Sequence, residues 1–136
     1  PVYWKSGKEF MEFSEKQHPG LINILKLCIE KIGFKYINSP KSIIYSNFFI
    51  MKRVLWVDYV NNWIIPSLNY MEGEIWYLTN KDAGYANTDK SSRGGLTVEK
   101  LEEFTGMKYY NFVTFVLERM ILQYIENKNL KTIDIL

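Results

Sequence analysis

Apolar positions fall into helical spacing over most of the chain. From Lys8 to Gln17, KEFMEFSEKQ sets Phe10 and Phe13 three positions apart, with Met11 and Ser14 beside them, as in a short amphipathic helix. The HPG triplet at His18 to Gly20 breaks that pattern, and Pro19 suits the first turn of a new helix. LINILKLCIEKI follows, with Leu21, Ile24, Leu25, Cys28 and Ile32 along one side and Gly33 placed for a left-handed cap. From Arg53, RVLWVDYVNNWIIPSLNYME returns to helical spacing through Leu55, Tyr59, Trp63 and Leu68. Pro66 is expected to kink or split that helix, because it removes a backbone donor and crowds the preceding turn. LTVEKLEEF starts another helix, with Thr97 as its cap, Glu99 in its first turn and Gly106 at its end. The strongest periodicity is in YYNFVTFVLERMILQYIENKN, where Phe112, Phe115, Val116, Met120 and Tyr124 share a face behind an Asn111 cap.

Three stretches read otherwise. Ile43 to Met51, within IIYSNFFIMKR, lacks strict alternation and predicts a strand buried on both faces. EIWYLTN suits a short strand or a buried loop, and LKTIDIL a closing strand. Lys81 to Gly95, KDAGYANTDKSSRGG, is polar and rich in Gly and Ser, the composition of a flexible surface loop or lid. The expectation is therefore an α+β, helix-rich fold of four to five helices with a small sheet, in one domain over 1–136. A start at Pro1 rather than Met reads as a removed initiator or as the cut end of a longer chain whose C-terminal part this is.

The 136 residues suffice for one real core, and 47% apolar with 24% charged residues is ordinary for a globular protein. The aromatic share changes the picture. Ten Tyr, eight Phe and four Trp exceed what so small a core hides, so some rings should line a groove or an interface. Carbohydrate sites use such rings, and so do contacts in homo-oligomers. A net charge of +2 gives no argument for nucleic acid. The lone Cys28 excludes an intramolecular disulfide, fits a reducing compartment, and reads as a buried thiol rather than a nucleophile. No apolar run approaches the ~20 residues of a membrane span and no signal peptide opens the chain, which reads as cytoplasmic.

Several chemistries drop out. His18 is the only histidine, so His clusters for zinc or non-haem iron are absent. Beside Pro19 in a helix break, it reads as a surface turn residue rather than a catalytic base. Gly94 and Gly95 lack the Lys and helix of a phosphate loop, and no Asp-x-Asp pair occurs. Two places remain. Asn47 is a lone amide in an apolar run, so it must pin backbone or meet a ligand hydroxyl. Lys52 and Arg53 follow where strand gives way to helix. Cations there oppose the helix dipole by a few tenths of a kcal/mol, so a phosphate or carboxylate partner is one reading and plain solvation the other. Glu118 and Arg119 interrupt the apolar face of the strongest helix. Glu118 suits a general base, a sugar-hydroxyl acceptor or a partner for Arg119, Lys52 or Arg53, while Arg119 presents a fork for a carboxylate or diphosphate. The bland reading is an ion pair locking helix to strand.

His18 with Pro19, Asn47 to Arg53, Trp63 with Pro66, and Phe115 to Met120 together resemble the C-terminal half of a bacterial glycosyltransferase family. Its members sit in capsule and lipopolysaccharide gene clusters, some linked to galactofuranosyl-like transfer. The likeness covers most of the chain apart from Gly73 to Gly106. It implies the acceptor-side half of a GT-A fold, with a nucleotide sugar and a glycan acceptor as partners, working in the cytoplasm or at the inner membrane face. It also implies substrate contacts from Asn47, Lys52, Arg53, Arg119 and Trp63, with Glu118 as the catalytic base. Lys52 and Arg53 would hold Glu118 or offset the charge of the departing diphosphate. The family's metal and nucleotide carboxylates lie upstream and have no counterpart here, so no cofactor is expected in this chain and Mn or Mg only with further residues. Two other readings stand beside it: a protein-interaction domain, and a carbohydrate-binding domain with Trp63, Trp76 or Tyr85 as stacking platforms. The transferase reading expects Asn47, Lys52, Glu118 and Arg119 within reach of one another.

Overall fold

A computed structural model describes residues 5–44, 49–84 and 97–133 of the chain. Helices α1 (Gly7–Gln17) and α2 (Leu21–Lys31) come first. A long helical rod then runs from Arg53 to Glu72 as α3 (Arg53–Tyr59), a π segment (Val60–Ile64) and α4 (Ile65–Glu72). The single turn α5 (Trp76–Thr79), then α6 (Val98–Thr105) and α7 (Phe112–Asn127) complete the described elements.

Local sequence accounts for most boundaries. Ser6 caps α1, its Oγ accepting the Glu9 N–H at 3.2 Å. Thr97 and Asn111 cap α6 and α7 in the same way. Gly33 and Gly106 take the left-handed conformations that close α2 and α6. The start of α2 is different. Gly20, at φ 100°, offers no side chain, and Glu15 of α1 reaches across the HPG turn to accept the N–H groups of Gly20 (2.7 Å) and Ile22 (2.8 Å). One carboxylate thus satisfies two orphan donors and fixes the angle between α1 and α2.

Pro66 splits its helix more gently than a kink would. Ile65 donates to the carbonyl of Val60, five residues back, so the helix widens by one residue just before the proline. The widened turn accommodates both the missing N–H and the ring that an α turn would press against a carbonyl. It also resets the buried face, which runs Tyr59, Trp63, Ser67, Met71 at four-residue steps and leaves Leu68 half-buried.

Helix α7 is the axis of the core. Arg119 through Ile125 are all buried, with Val116, Met120, Ile121, Leu122 and Tyr124 fully so. Against it pack Leu21, Leu25, Cys28 and Ile29 of α2, then Trp63 and Met71 of the rod. Burial pushes the Cys28 thiol up to about 12, which keeps it protonated and inert, as the sequence suggested.

The described residues contain no strand, so the α+β reading with a small sheet is overturned in favour of a helical architecture. The α/β layer of a GT-A fold has no counterpart among them. Helix side chains replace the ladder. The Gln123 amide donates to the Ile37 carbonyl at 2.9 Å and accepts the Ile37 N–H at 2.8 Å. Asn127 repeats the pairing with Lys35, at 2.9 and 3.3 Å, and the Glu126 carboxylate takes the N–H groups of Lys41 and Ser42. A side-chain amide carries the same donor and acceptor as a peptide group, so an extended segment can lie along a helix with its backbone satisfied. In the stretch read as a doubly buried strand, Ile50 is 88% exposed, Ile43, Ile44, Phe49 and Met51 are half-buried, and 45–48 lie outside the described residues. The EIWYLTN stretch forms the turn α5, and 130–133 of the expected closing strand are irregular. Of the expected lid, only 81–84 are described.

Candidate functional site

Glu118 and Arg119 of α7 meet each other rather than Lys52 and Arg53 at the start of α3. The Arg119 side chain is almost completely buried and its Nη1 lies 3.1 Å from Glu118 Oε2. Its Nε donates to Ser14 Oγ at 2.9 Å, and the guanidinium lies 4.9 Å above the Phe10 ring. Arg119 therefore ties α7 to α1, a helix-to-helix link where a helix-to-strand one was expected. Lys52 and Arg53 stand exposed at the start of α3 and make no ion pair among the described residues. Asn47 lies outside the described residues. Trp63, read as a substrate contact, is 0% exposed, stacked on Phe34 at 4.3 Å and edge-on to Tyr124 at 5.4 Å. It has no face left for a solute.

His18 overturns its surface reading. Its ring is buried, stacked on Phe115 with centroids 3.8 Å apart, and Nδ1 lies 2.6 Å from the Ala83 carbonyl. Burial lowers its pKa below the ordinary 6.5; the Ala83 carbonyl opposes this, the Arg119 cation adds to it, and the Glu118 carboxylate weakly opposes it. The neutral ring with Nδ1–H donating to Ala83 is the form that fits. A His that resists protonation only when folded stabilises the protein fully above pH 6.5, and that contribution is lost as pH falls through the window below it. Wild-type thermal midpoints should therefore drop between pH 7.5 and 5 (about the window either side of an ordinary His pKa) more steeply than those of His18→Asn. Parallel slopes would assign the acid sensitivity to carboxylates instead.

A concave surface lies elsewhere among the described residues, between the end of α4, α5 and the start of α7. It encloses about 470 Å³ and is lined by Glu72, Trp76, Asn80, Asn111 and Thr114 among others. Its walls are fixed locally. Ile75 is buried and Thr79 Oγ1 donates to the Met71 carbonyl at 2.8 Å, which docks α5 on α4. Ala83 donates to the Tyr110 carbonyl at 2.9 Å and Asn111 Oδ1 accepts the Val113 N–H at 3.1 Å, which sets the start of α7. Trp76 is 58% exposed on this wall, a large indole that the core leaves out. Around it are the Glu72 carboxylate, the Asn80 and Asn111 amides and the hydroxyls of Thr79 and Thr114, the first of these tied to the Met71 carbonyl. The sequence offers Trp76 as one of several stacking candidates, and the structure leaves its ring exposed. Glu72, Asn80 and Thr114 carry no local signal, and only the fold brings Asn111 and Thr114 beside the stretch that holds Glu72, Trp76 and Asn80.

Among the described residues no three His, Cys, Asp or Glu side chains converge as metal ligands. Comparison with family models, with curated proteins and with solved structures gives no match, and the reading rests on the chain's own geometry and chemistry.

Proposed function

We propose that this chain recognises a carbohydrate, and that the groove beside Trp76 receives it. The observation that carries the reading is an exposed indole on a concave wall, bordered by Glu72, Asn80, Asn111 and Thr114. A sugar ring has one face of C–H groups, which stacks on an indole, and a rim of hydroxyls, which donate to a carboxylate and accept from amides. A few directional polar groups around an apolar platform are what such a ligand needs. The groove is open, so the contact would be shallow and suited to one or two residues of a longer glycan.

Placed within the resemblance to the capsule and lipopolysaccharide glycosyltransferases, the groove would be the glycan-acceptor side of a transfer reaction. The nucleotide sugar and any Mn or Mg would then sit on parts other than these helices, in the cytoplasm or at the inner membrane face. A carbohydrate-binding domain without transfer uses the same groove, so the binding step is common to both readings.

Titration with neutral and acidic oligosaccharides, followed by calorimetry and by indole fluorescence, tests the reading. Saturable binding is expected, and Trp76→Ala should weaken it about tenfold, the equivalent of about 1.4 kcal/mol. Absence of binding to every glycan class in the intact protein, with the fold verified by circular dichroism, would remove the proposal.

A further inference from the structure

The outward face of α3 is apolar where a helix on a core is ordinarily polar. Val54 and Val57 stand 72% and 47% exposed on one stripe, and Ile50, just before the helix, is 88% exposed. Lys52 and Arg53 are exposed among them, with Arg53 one turn from Val57. Trp56 is 48% exposed beside the stripe, its ring 6.2 Å from that of Phe49. These cations are not there for the helix, whose positive end they oppose, nor for an ion pair, since they make none among the described residues. The acid of α3, Asp58, is engaged by Asn62 Nδ2 at 2.8 Å, by Tyr124 Oη at 2.8 Å and by Lys128 Nζ at 3.2 Å. The patch therefore presents apolar β-branched side chains, a half-exposed indole and two cations that make no ion pair among the described residues.

We propose that this edge of α3 docks on an anionic lipid surface, with Ile50, Val54 and Val57 entering the headgroup boundary and Lys52 and Arg53 meeting lipid phosphates. Charge decides the occupant. A second copy brought face to face on the same patch would set two pairs of cations against each other, which an isologous contact does not relieve. A bilayer rich in anionic headgroups supplies both counter-charge and an apolar layer, and each basic residue near such a surface is worth roughly fivefold in affinity. The surface is separate from the groove beside Trp76 and stands whether or not that groove takes a sugar.

The test is vesicle flotation of the intact protein with phosphatidylglycerol-rich and with pure phosphatidylcholine vesicles, at low and high salt. Flotation with the anionic vesicles, weakening as salt rises, is expected. The Lys52→Glu, Arg53→Glu double variant should lose more than tenfold in partitioning, on the order of the two basic contributions combined, and Val54→Asp should lose a similar share. All three positions are exposed, so an unchanged thermal midpoint will confirm that the variants fold. Trp76→Ala should float like wild type, which separates failure here from failure of sugar recognition. Flotation with neither vesicle, equal flotation with both, or a self-associated protein that Val54→Asp converts to monomer without any lipid binding would each overturn the proposal.

Discussion

Gln123→Leu should destabilise the protein by about 2–4 kcal/mol, although it exchanges a polar side chain for an apolar one of similar size in a buried site. The Gln123 side chain is fully buried, and it pairs both the N–H and the carbonyl of Ile37. Leu would fill the space and leave two half-buried backbone groups without their side-chain partner. Each costs about 1–3 kcal/mol, and added apolar burial recovers part of that. Urea unfolding at constant slope is the measurement, supported by faster hydrogen exchange at the Ile37 amide. Asn127→Ala, with its pairing to Lys35 exposed, should cost under about 1 kcal/mol, because water takes over both groups. A Gln123→Leu protein within about 0.5 kcal/mol of wild type would show that the extended segment is not held by α7.

Trp63→Ala should cost about 3–5 kcal/mol, as expected for removing a large ring from a packed core. Trp63 has no exposure and contacts both Phe34 and Tyr124, so its loss opens a cavity between the rod, α7 and the segment after α2. Trp63→Phe should cost less, under about 1.5 kcal/mol, because the indole Nε1 has no hydrogen-bond partner among the described residues to lose. Trp76→Ala should change stability by no more than about 0.5 kcal/mol. The sequence offers these tryptophans as equal stacking candidates. Thermal unfolding of the variants separates the ring that builds the core from the ring that faces solvent. A stable Trp63→Ala protein would contradict the packing described for α7.

What was legible follows from how local each determinant is. The α1, α2, α6 and α7 helices announce themselves through periodicity, and Thr97, Asn111, Gly33 and Gly106 mark their ends, because capping acts within a turn of the residue itself. Pro66 was correctly read as a disturbance, but a π turn and a break look alike in sequence. The sheet was misread because apolar β-branched runs suit a strand whether or not a partner strand exists. Here the ladder's work is done by Gln123, Glu126 and Asn127, ordinary helix residues until the segment 84 or more positions earlier lies against them. His18 was misplaced for the same reason, since its partner Ala83 is 65 positions away. The need for Glu118 and Arg119 to pair was visible from charge inside an apolar face. That Ser14 shares the guanidinium was not.

On the proposed reading, polar side chains on α7 hold the helices together while carbohydrate recognition belongs to the groove beside Trp76. Oligosaccharide titration of Glu118→Gln and Trp76→Ala, run side by side with wild type, tests that division most directly. Loss of affinity in Trp76→Ala with Glu118→Gln binding like wild type is the predicted result. The reverse pattern, full affinity without the indole and none without the carboxylate, would contradict it and move the site to α7.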